Sequence, residues 1–367
     1  MRRLVAPLHF ILVLFFCAFA LAAEPEEKGV KDIENLYLYR IVVSPLRIPQ
    51  EIEHIPQNIS VVDQGEISNL PVSDPSEALA LMPGVDVSSR TSFGHLVPLS
   101  IQGSESRHVL VMMDGIPFNT QASGQADILP ALPLQALDRI EVIKGSASSA
   151  WGSSLGGVVH LITKSPSPSS APTGHLASSW SGFRSQNHLF DVSATQGHLG
   201  YYFSGEYQES GGARIKGGTF NRDDTLMKKG FGKLVYDLSE NVSAMASYGY
   251  SGADINEGVY PSDGTRNHVP YYARYGLFRL SMEQSERSHA EAVFKFNRQF
   301  ISMDSLDGNT ETLSSHVRTR DNYNGVEFKN ATTFREKDAL VLGADISYHI
   351  LKSTQLSRSK NIFYQGC

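Results

Sequence analysis

Cysteine is nearly absent from this chain of 367 residues, which contains only Cys17 and, as its last residue, Cys367. Such a chain has no disulfide framework and no cysteine-based metal site. Charged residues are also scarce, at 19% of the sequence compared with about 25% in ordinary soluble domains. The net charge is −6 and the basic residues form no runs, which argues against a nucleic-acid-binding protein.

Long apolar runs are confined to the amino terminus, where Arg2 and Arg3 precede the almost wholly apolar segment Leu4–Leu21. Ala20-Leu21-Ala22 then places small residues at the spacing that signal peptidase requires, so we predict a signal peptide over residues 1–22. The alternative is a membrane-spanning helix, but acidic residues follow the run and no Lys/Arg cluster does. Since no later segment resembles a spanning helix, any membrane-embedded part of this chain must be a β-barrel.

Three short apolar runs separated by Gly-rich turns occupy the centre of the sequence: Val109–Met113, Ile140–Ile143 and Val158–Thr163. Their β-branched residues are typical of strands in a compact mixed domain. Upstream, residues 58–62 predict another strand and Asp74–Met82 predicts a helix. Asp74 caps this helix, Glu77 completes a capping box, and Leu79, Leu81 and Met82 supply its apolar side.

No motif in this central region predicts an enzyme. The Gly/Ser-rich segment 145–157 lacks the Gly-Lys-Ser/Thr ending of a P-loop and lacks a G-x-G-x-x-G that opens a helix. Asp138 and Glu141 could be read as paired carboxylates, but Arg139 and Lys144 lie beside them, which favours structural ion pairs. No Ser/His/Asp arrangement with a nucleophile elbow is recognisable.

After the Pro/Ser linker 165–173 the hydrophobic period becomes two. A soluble β-sandwich also alternates in this way, but the apolar faces here are bounded by Tyr at the strand ends, as membrane-interface girdles are. Short connections near 197–198, 239–240, 284–288 and 335–338 alternate with the longer polar segments 210–227, 252–272 and 302–322. This alternation predicts an outer-membrane barrel with periplasmic turns and longer extracellular loops.

Four motifs in the central region occur in a characteristic order. They are Met82-Pro83-Gly84-Val85-Asp86-Val87, the Val109–Gly115 strand and turn with Asn119, the Leu137–Gly145 segment, and Leu155–Lys164. Together they resemble the plug domain of TonB-dependent outer-membrane receptors. The resemblance implies an α+β plug domain over 49–166, followed by antiparallel transmembrane β-barrel strands over 174–367. Roughly nine strands are expected, whereas a plug-containing barrel of this family has about 22, so the chain is interpreted as a truncated receptor.

The resemblance also implies a TonB box, the peptide that such receptors offer to TonB and its inner-membrane energising complex. It is predicted within the linker 23–48, at Tyr39, Arg40, Ile41, Val42, Val43, Ser44 and Pro45. A β-branched segment of this kind binds by adding a strand to a partner's sheet edge. The alternative is an ordinary first strand.

By the same resemblance, ligand binding is predicted at two apical plug loops. These are Arg90, Thr91, Ser92, Phe93, Gly94 and His95, and Asn119, Thr120, Gln121, Ala122, Ser123, Gly124 and Gln125. The plug is closest in style to vitamin B12 receptors, which implies cobalamin as ligand, with a ferric siderophore or haem as alternatives. A haem receptor is expected to have loop histidines, and His268 and His316 are isolated.

The expected protein is a monomer in the outer membrane of a Gram-negative bacterium, in contact with lipid and with no resident cofactor. Four aspartates of the long loops could bind calcium through their oxygen atoms, although solvated carboxylates are the alternative: Asp223, Asp224, Asp254 and Asp263. A signal-transducing receptor is disfavoured because only a short linker precedes Tyr39, and a passive binding protein stays open as a third class.

Overall fold

The computed structural model describes residues 41–43, 49–51, 58–88, 96–146, 152, 154–212, 224–259, 264–285, 287–307, 310, 312–335, 338–359 and 362–366. They form a five-stranded mixed sheet, a large antiparallel sheet and two two-stranded ribbons. We call residues 58–164 the inner domain and the large antiparallel sheet, residues 173–366, the wall. Across the described ranges, no helix is both long and apolar enough to cross a membrane.

The amino-terminal ribbon pairs β1 (Ile41–Val43) with β2 (Pro49–Glu51). The inner domain follows with β3 (Asn58–Asp63), α1 (Gln64–Asn69), α2 (Pro75–Ala80), β4 (Val85–Val87), β5 (Leu99–Ile101), β6 (Val109–Met113), β7 (Ile116–Pro117), β8 (Leu137–Lys144) and β9 (Gly157–Thr163). Three single-turn 3₁₀ helices lie at Ser106–His108, Leu129–Ala131 and Leu134–Ala136. The three central apolar runs are therefore strands, as predicted.

The predicted helix after Asp74 is confirmed, but its end and its capping box differ from the prediction. Asp74 caps α2 by accepting the backbone N–H of Ser76 at 2.7 Å, as predicted, but the helix ends at Ala80 and not at Met82. Glu77 bonds to Ser73, one residue before the cap, so the predicted capping box is wrong in its partner. Leu81 is 56% exposed because it lies beyond the helix, and it does not join the apolar side.

The inner sheet has the strand order β3-β8-β9-β6-β7. Only β6 and β9 are parallel, and they lie at the centre with antiparallel neighbours on both sides. Gly157 enters β9 with φ +143°, and a Cβ there would lie 2.5 Å from the carbonyl oxygen of Ile143. Only glycine fits so close an approach, which explains the glycine pair of the last motif.

The wall consists of strands paired strictly in chain order. They are β10 (Thr173–Ser181), β11 (Ser185–Gln196), β12 (Leu199–Ser210), β13 (Asp224–Ser239), β14 (Val242–Asn256), β15 (Thr265–Ser285), β16 (Ser288–Asp307), β17 (Leu313–Arg335), β18 (Asp338–Ser359) and β19 (Ile362–Gly366). The predicted count of roughly nine is confirmed by nine long strands, which a short tenth, β19, joins at one edge.

Connections at one end of the wall are uniformly short, with two residues each at 197–198, 240–241, 286–287 and 336–337. At the opposite end, which we call the loop end, the connections 211–223, 257–264 and 308–312 are longer, whereas 182–184 and 360–361 have only three and two residues. The three longer connections are nevertheless shorter than the predicted loops 210–227, 252–272 and 302–322, because the strands continue into these segments. Polar residues 302–307 and 313–322, for example, are paired strand and not loop.

The two faces of the wall have opposite polarity, as the alternation predicted. Facing outward, Phe278, Phe294, Phe328 and Ile346 are exposed by between 44% and 76%. Their inward neighbours include polar residues that are buried against the inner domain, among them Lys233, Lys295, Asn297, Gln299 and Asp321. Inward apolar residues such as Tyr271 and Tyr275 join the hydrophobic core of the inner domain. An apolar exterior around a polar interior is the arrangement of a transmembrane barrel.

A charge on the outward face tests this polarity. We expect Phe278→Arg to lower the free energy of unfolding in lipid vesicles by about 2–4 kcal/mol, since a cation near the bilayer midplane is destabilising. Denaturant titration of the full chain measures the change, with Phe278→Leu as the matched control. Equal stability of the two variants would show that this face does not contact lipid.

Candidate functional site: the contact between inner domain and wall

A tight turn brings the inner domain against the wall. Asp114 (φ 47°) and Gly115 (φ 79°) connect β6 to β7, both in the left-handed region that two-residue hairpin turns require. A Cβ on Gly115 would lie 3.2 Å from the ammonium nitrogen of Lys295, on the wall. The Asp-Gly pair therefore serves both the turn and its close approach to β16.

The carboxylate of Asp114 is the most connected group of this contact. It accepts the backbone N–H of Thr163 at 3.0 Å and the Thr163 hydroxyl at 2.5 Å, which ties the turn to the end of β9. Lys233 of β13 lies 3.5 Å from the same carboxylate and donates to the Thr163 carbonyl at 3.2 Å. Three elements, the turn, β9 and the wall, thus meet at one buried ion pair.

The electrostatics of this group favour the charged form. Burial alone would raise the pKa of Asp114, but Lys233 and the two hydrogen bonds from Thr163 outweigh it and hold the pKa below its ordinary value. A buried carboxylate is retained in a protein when it is paired and fully hydrogen-bonded in this way. The contact is consequently strong while assembled and costly if only one partner leaves.

His160 supports the same turn from β9. Its Nε2 accepts the backbone N–H of Gly115 at 3.1 Å, which requires the neutral imidazole. Burial lowers the pKa of His160 to about 4, since its effect and the smaller effects of the cations Arg139, Lys295 and Arg279 outweigh the opposing carboxylate of Asp114. The imidazole therefore stays an acceptor throughout the physiological pH range.

The wall also binds the backbone just after the turn. Asn297 donates to the carbonyl of Pro117 at 2.9 Å, and Gln299 donates to the carbonyl of Phe118 at 3.0 Å. The Phe118 ring packs edge-on against Tyr275, with ring centroids 5.0 Å apart. Further along, Asp321 accepts the backbone N–H of Gln121 at 2.5 Å. Side chains from three wall strands thus hold one short segment of the inner domain.

A second contact lies near the 3₁₀ turn before β8. Tyr202 of β12 donates its hydroxyl to the Gln135 carbonyl at 3.0 Å, and the Gln135 side chain bonds to Asp191 of β11. Lys164 lies 4.0 Å from Asp191 and 5.8 Å from the centre of the Tyr202 ring. This contact, like the first, joins polar groups across an interface that is otherwise apolar.

The structure places only part of the predicted ligand site. Residues 90–95 lie outside the described residues. In the other loop, Asn119 is used internally, because its side chain bonds to Val111, Val109 and Gly124. Gln121, Ala122 and Ser123 form the exposed tip. The ligand role of this loop stays a prediction, with the tip as its accessible part.

The TonB box is likewise described only at its centre. Ile41–Val43 form β1, which pairs with β2, whereas Tyr39, Arg40, Ser44 and Pro45 lie outside the described residues. An extended conformation of 41–43 fits both the predicted strand-adding peptide and the alternative of an ordinary strand. Partner binding stays a prediction.

The calcium prediction rests on Asp224 and Asp254, since Asp223 and Asp263 lie outside the described residues. Asp224 accepts the Asn256 amide at 2.6 Å, and Asp254 lies 2.7 Å from His268. Among the residues with described positions, no group of three or more His, Cys, Asp or Glu side chains could hold a metal ion. The second loop histidine, His316, pairs with Asp304.

The ion-pair interpretation of the central carboxylates agrees with the structure. Arg139 contacts Asp138 at 2.9 Å and Glu141 at 2.7 Å along β8. Sequence reasoning missed His160 and the inward wall residues Lys233, Asn297 and Gln299. A lone polar residue in the apolar run 158–162 and polar residues at alternate wall positions were the available signals.

Comparison with known proteins identifies the inner domain. Residues 51–158 match the family model described as TonB-dependent Receptor Plug Domain. The vitamin B12 transporter BtuB of Vibrio vulnificus (strain YJ016) is 35% identical over 124 residues, which are 34% of this chain and 20% of that protein. The matched segment is thus about a fifth of the length of this curated relative.

Solved structures share the fold of both parts. Pseudomonas aeruginosa FpvA, bound to pyoverdine, superposes with a TM-score of 0.71 at 16% identity, covering 88% of this chain and 46% of FpvA. The alcaligin outer-membrane receptor FauA of Bordetella pertussis gives a TM-score of 0.60 at 17% identity, covering 93% and 63% of the respective chains. At such identities the likeness concerns the fold alone.

Removal of the lysine tests the buried pair. We expect Lys233→Met to lower the free energy of unfolding by about 3 kcal/mol, because an uncompensated buried carboxylate remains. The double variant Asp114→Asn/Lys233→Met should recover most of the loss. Denaturant unfolding of the full chain measures both, with Lys228→Met, an exposed lysine of the same strand, as control. Equal effects of Lys228→Met and Lys233→Met would contradict the assignment.

The lowered pKa of His160 predicts a pH dependence of stability. Unfolded histidine, with a pKa of 6.5, binds a proton as pH falls, whereas folded His160 resists until about pH 4. Stability is therefore full above pH 6.5 and declines between pH 6.5 and 4, by up to about 3 kcal/mol, since one pKa unit is about 1.4 kcal/mol. Asp114 adds a loss only below its ordinary pKa of 3.8.

Unfolding titrations at pH 7, 5.5 and 4 measure this decline. His160→Gln, which keeps a hydrogen-bond acceptor, should remove most of the slope between pH 6.5 and 4. His198→Gln, in an exposed turn, should leave it unchanged. A slope that survives in His160→Gln would assign the pH dependence to other groups.

Proposed function

Because this chain belongs to the TonB-dependent receptors and matches their plug domain at residues 51–158, we propose that it serves energised uptake of a scarce, large ligand. The setting is the outer membrane of a Gram-negative bacterium, with a cleaved signal peptide over 1–22. The observation that carries the proposal is the inner domain seated by polar contacts on a wall whose outer face is apolar. Polar contacts of this kind can hold the inner domain in place against the wall and can be broken when the ligand is to pass.

The linker 23–48 presents the TonB box to the energising partner. Within the described part of the chain, β1 pairs only with β2, so one edge of its backbone is open to a strand of TonB. Backbone hydrogen bonds supply the affinity in this mode of recognition. A partner strand bound at Ile41–Val43 then transmits tension towards residue 58.

Tension from the amino terminus reaches the inner domain at its most easily detached strand. Among the strands with described positions, β3 lies at one edge of the inner sheet and pairs only with β8, from Asn58 opposite Lys144 to Asp63 opposite Arg139. Pulling at Asn58 opens these pairs one after another. The segment held by the wall begins in β7, which forms the opposite edge of the inner sheet, so the inner domain opens in part while its contacts with the wall stay in place.

The ligand we propose is cobalamin, since the matched relative is a vitamin B12 transporter and the identity lies within the plug region. A ferric siderophore is the second candidate, because the similar structures include pyoverdine and alcaligin receptors. The exposed tip Gln121, Ala122 and Ser123, seated beside Asp321, faces the side from which a ligand arrives. Receptors and transporters of this kind bind and move their ligands without a chemical reaction, so no catalytic residue is proposed.

A proline in the TonB box tests energy coupling. In cells producing the receptor, we expect Val42→Pro to abolish uptake of labelled cobalamin while surface binding is retained, because proline lacks the N–H that strand addition needs. Val42→Thr, which keeps the N–H and β-propensity, should transport normally.

The same assay separates the alternatives. Uptake of a labelled ferric siderophore in place of cobalamin would select the second ligand. Uptake that is unaffected by Val42→Pro would exclude energy coupling through this segment and would favour a passive binding protein.

A further inference from the structure

A group of cations faces outward on the wall, at the border of its apolar band towards the loop end. Arg274 of β15, Arg298 of β16, Arg318 and Arg320 of β17 and Lys352 of β18 occupy outward positions on four adjacent strands. We call these five residues the basic belt. Alternation settles their direction, since Ala273 and Tyr275, on either side of Arg274, are buried on the inner face.

Strand register places these cations unusually close together. Arg274 is directly opposite Arg298, and Arg320 is directly opposite Lys352. Side chains at opposed positions of antiparallel strands lie about 5 Å apart at Cβ, and like charges there destabilise a sheet. Two such pairs side by side call for an anion between them.

The protein itself supplies no such anion among the residues whose positions are described. None of the five cations forms an ion pair with a carboxylate there. The carboxylates of Asp254 and Asp304, on the same strands or their neighbours, pair with His268 and His316 and not with these cations. Arg298 instead donates to the Tyr323 carbonyl at 2.5 Å and to the Asn324 side chain at 2.6 Å. These bonds orient its guanidinium and leave its charge without a counterion.

Aromatic rings position the belt at the border of the apolar band. Arg274 lies 5.7 Å from the ring centre of Tyr272, Arg298 lies 5.8 Å from that of Phe296, and Arg320 lies 5.7 Å from that of Phe300. Along β15 the outward residues from Phe278 to Met282 are apolar and exposed. From Met282 to Tyr272 a tilted strand rises about 25 Å, which is the height of the lipid-facing band of an outer-membrane barrel. Arg274 lies two residues from Tyr272 on this strand, on the side of Met282, so its Cα is about 5 Å below the loop-end limit of such a band.

We propose that the basic belt binds the phosphate groups of lipid headgroups in the leaflet at the loop end of the wall. Cations at this height meet headgroups, and the planar guanidinium forms paired hydrogen bonds with phosphate oxygens. The phosphate neutralises both like-charge pairs at once. This inference rests on the membrane placement of the wall and not on energised uptake, so a failure of the uptake test leaves it standing.

Lipid binding to the full chain in nonionic micelles tests the proposal. The probe is phosphatidic acid, compared with diacylglycerol of the same acyl chains and with inorganic phosphate, and native mass spectrometry measures the bound fraction. Phosphatidic acid should bind at least about tenfold more tightly than either comparison. Arg320→Gln/Lys352→Gln should bind it about 30-fold more weakly, since each cation near anionic lipid contributes about a fivefold factor.

Two controls keep the outcome decisive. The swap Arg320→Lys/Lys352→Arg preserves the charge and should bind as the unaltered chain does. Lys228→Gln removes an exposed outward cation outside the belt, which lies opposite Gly252 and Tyr207 and not opposite a second cation, and should bind within about threefold of the unaltered chain. Circular dichroism verifies the β-structure of each variant.

Three results would overturn the proposal. They are equal binding of phosphatidic acid and diacylglycerol, equal binding of phosphatidic acid and inorganic phosphate, and loss of binding in the charge-preserving swap. The second result would identify a free-anion site, and the third would identify a dependence on packing at these positions.

Discussion

The buried carboxylate of Asp114 is the constraint on which the assembly of inner domain and wall depends. Its two bonds from Thr163 fix the β6–β7 turn to β9, and its ion pair with Lys233 fixes both to the wall. A buried charge with all its partners is stable, whereas the same charge with one partner missing is not. The inner domain is therefore either seated or displaced, with no favourable position between.

The same constraint explains the polarity of the wall. Lipid removes the advantage of an apolar interior, so polar residues gather on the inner face, where they can bond to the inner domain. Asn297 and Gln299 bind backbone carbonyls and not side chains. Because every residue has a backbone carbonyl, contacts of this kind depend on the path of the backbone and tolerate changes of side chain in the segment that the wall binds.

Sequence alone predicted the elements whose signals are local. The apolar runs gave β6, β8 and β9, and the alternation gave the inward and outward faces. α1 was missed although Asp63 and Glu66 form a capping box, because six residues carry too little periodicity. Lys233 and His160 were missed for another reason: their partners lie 119 and 45 residues away in the chain (233−114 and 160−115). Such pairs become visible only when the strands are assembled.

The pairing of wall strands in strict chain order has a kinetic consequence. Each strand finds its neighbour after a short connection, often of two residues, as at 197–198 and 240–241. Closing short connections costs little chain entropy, and topologies dominated by near neighbours assemble quickly. The wall can therefore grow one hairpin at a time behind a single advancing edge. Inner-domain contacts such as Asp114–Lys233 span a far longer stretch of chain and are expected to form after that edge has passed β13.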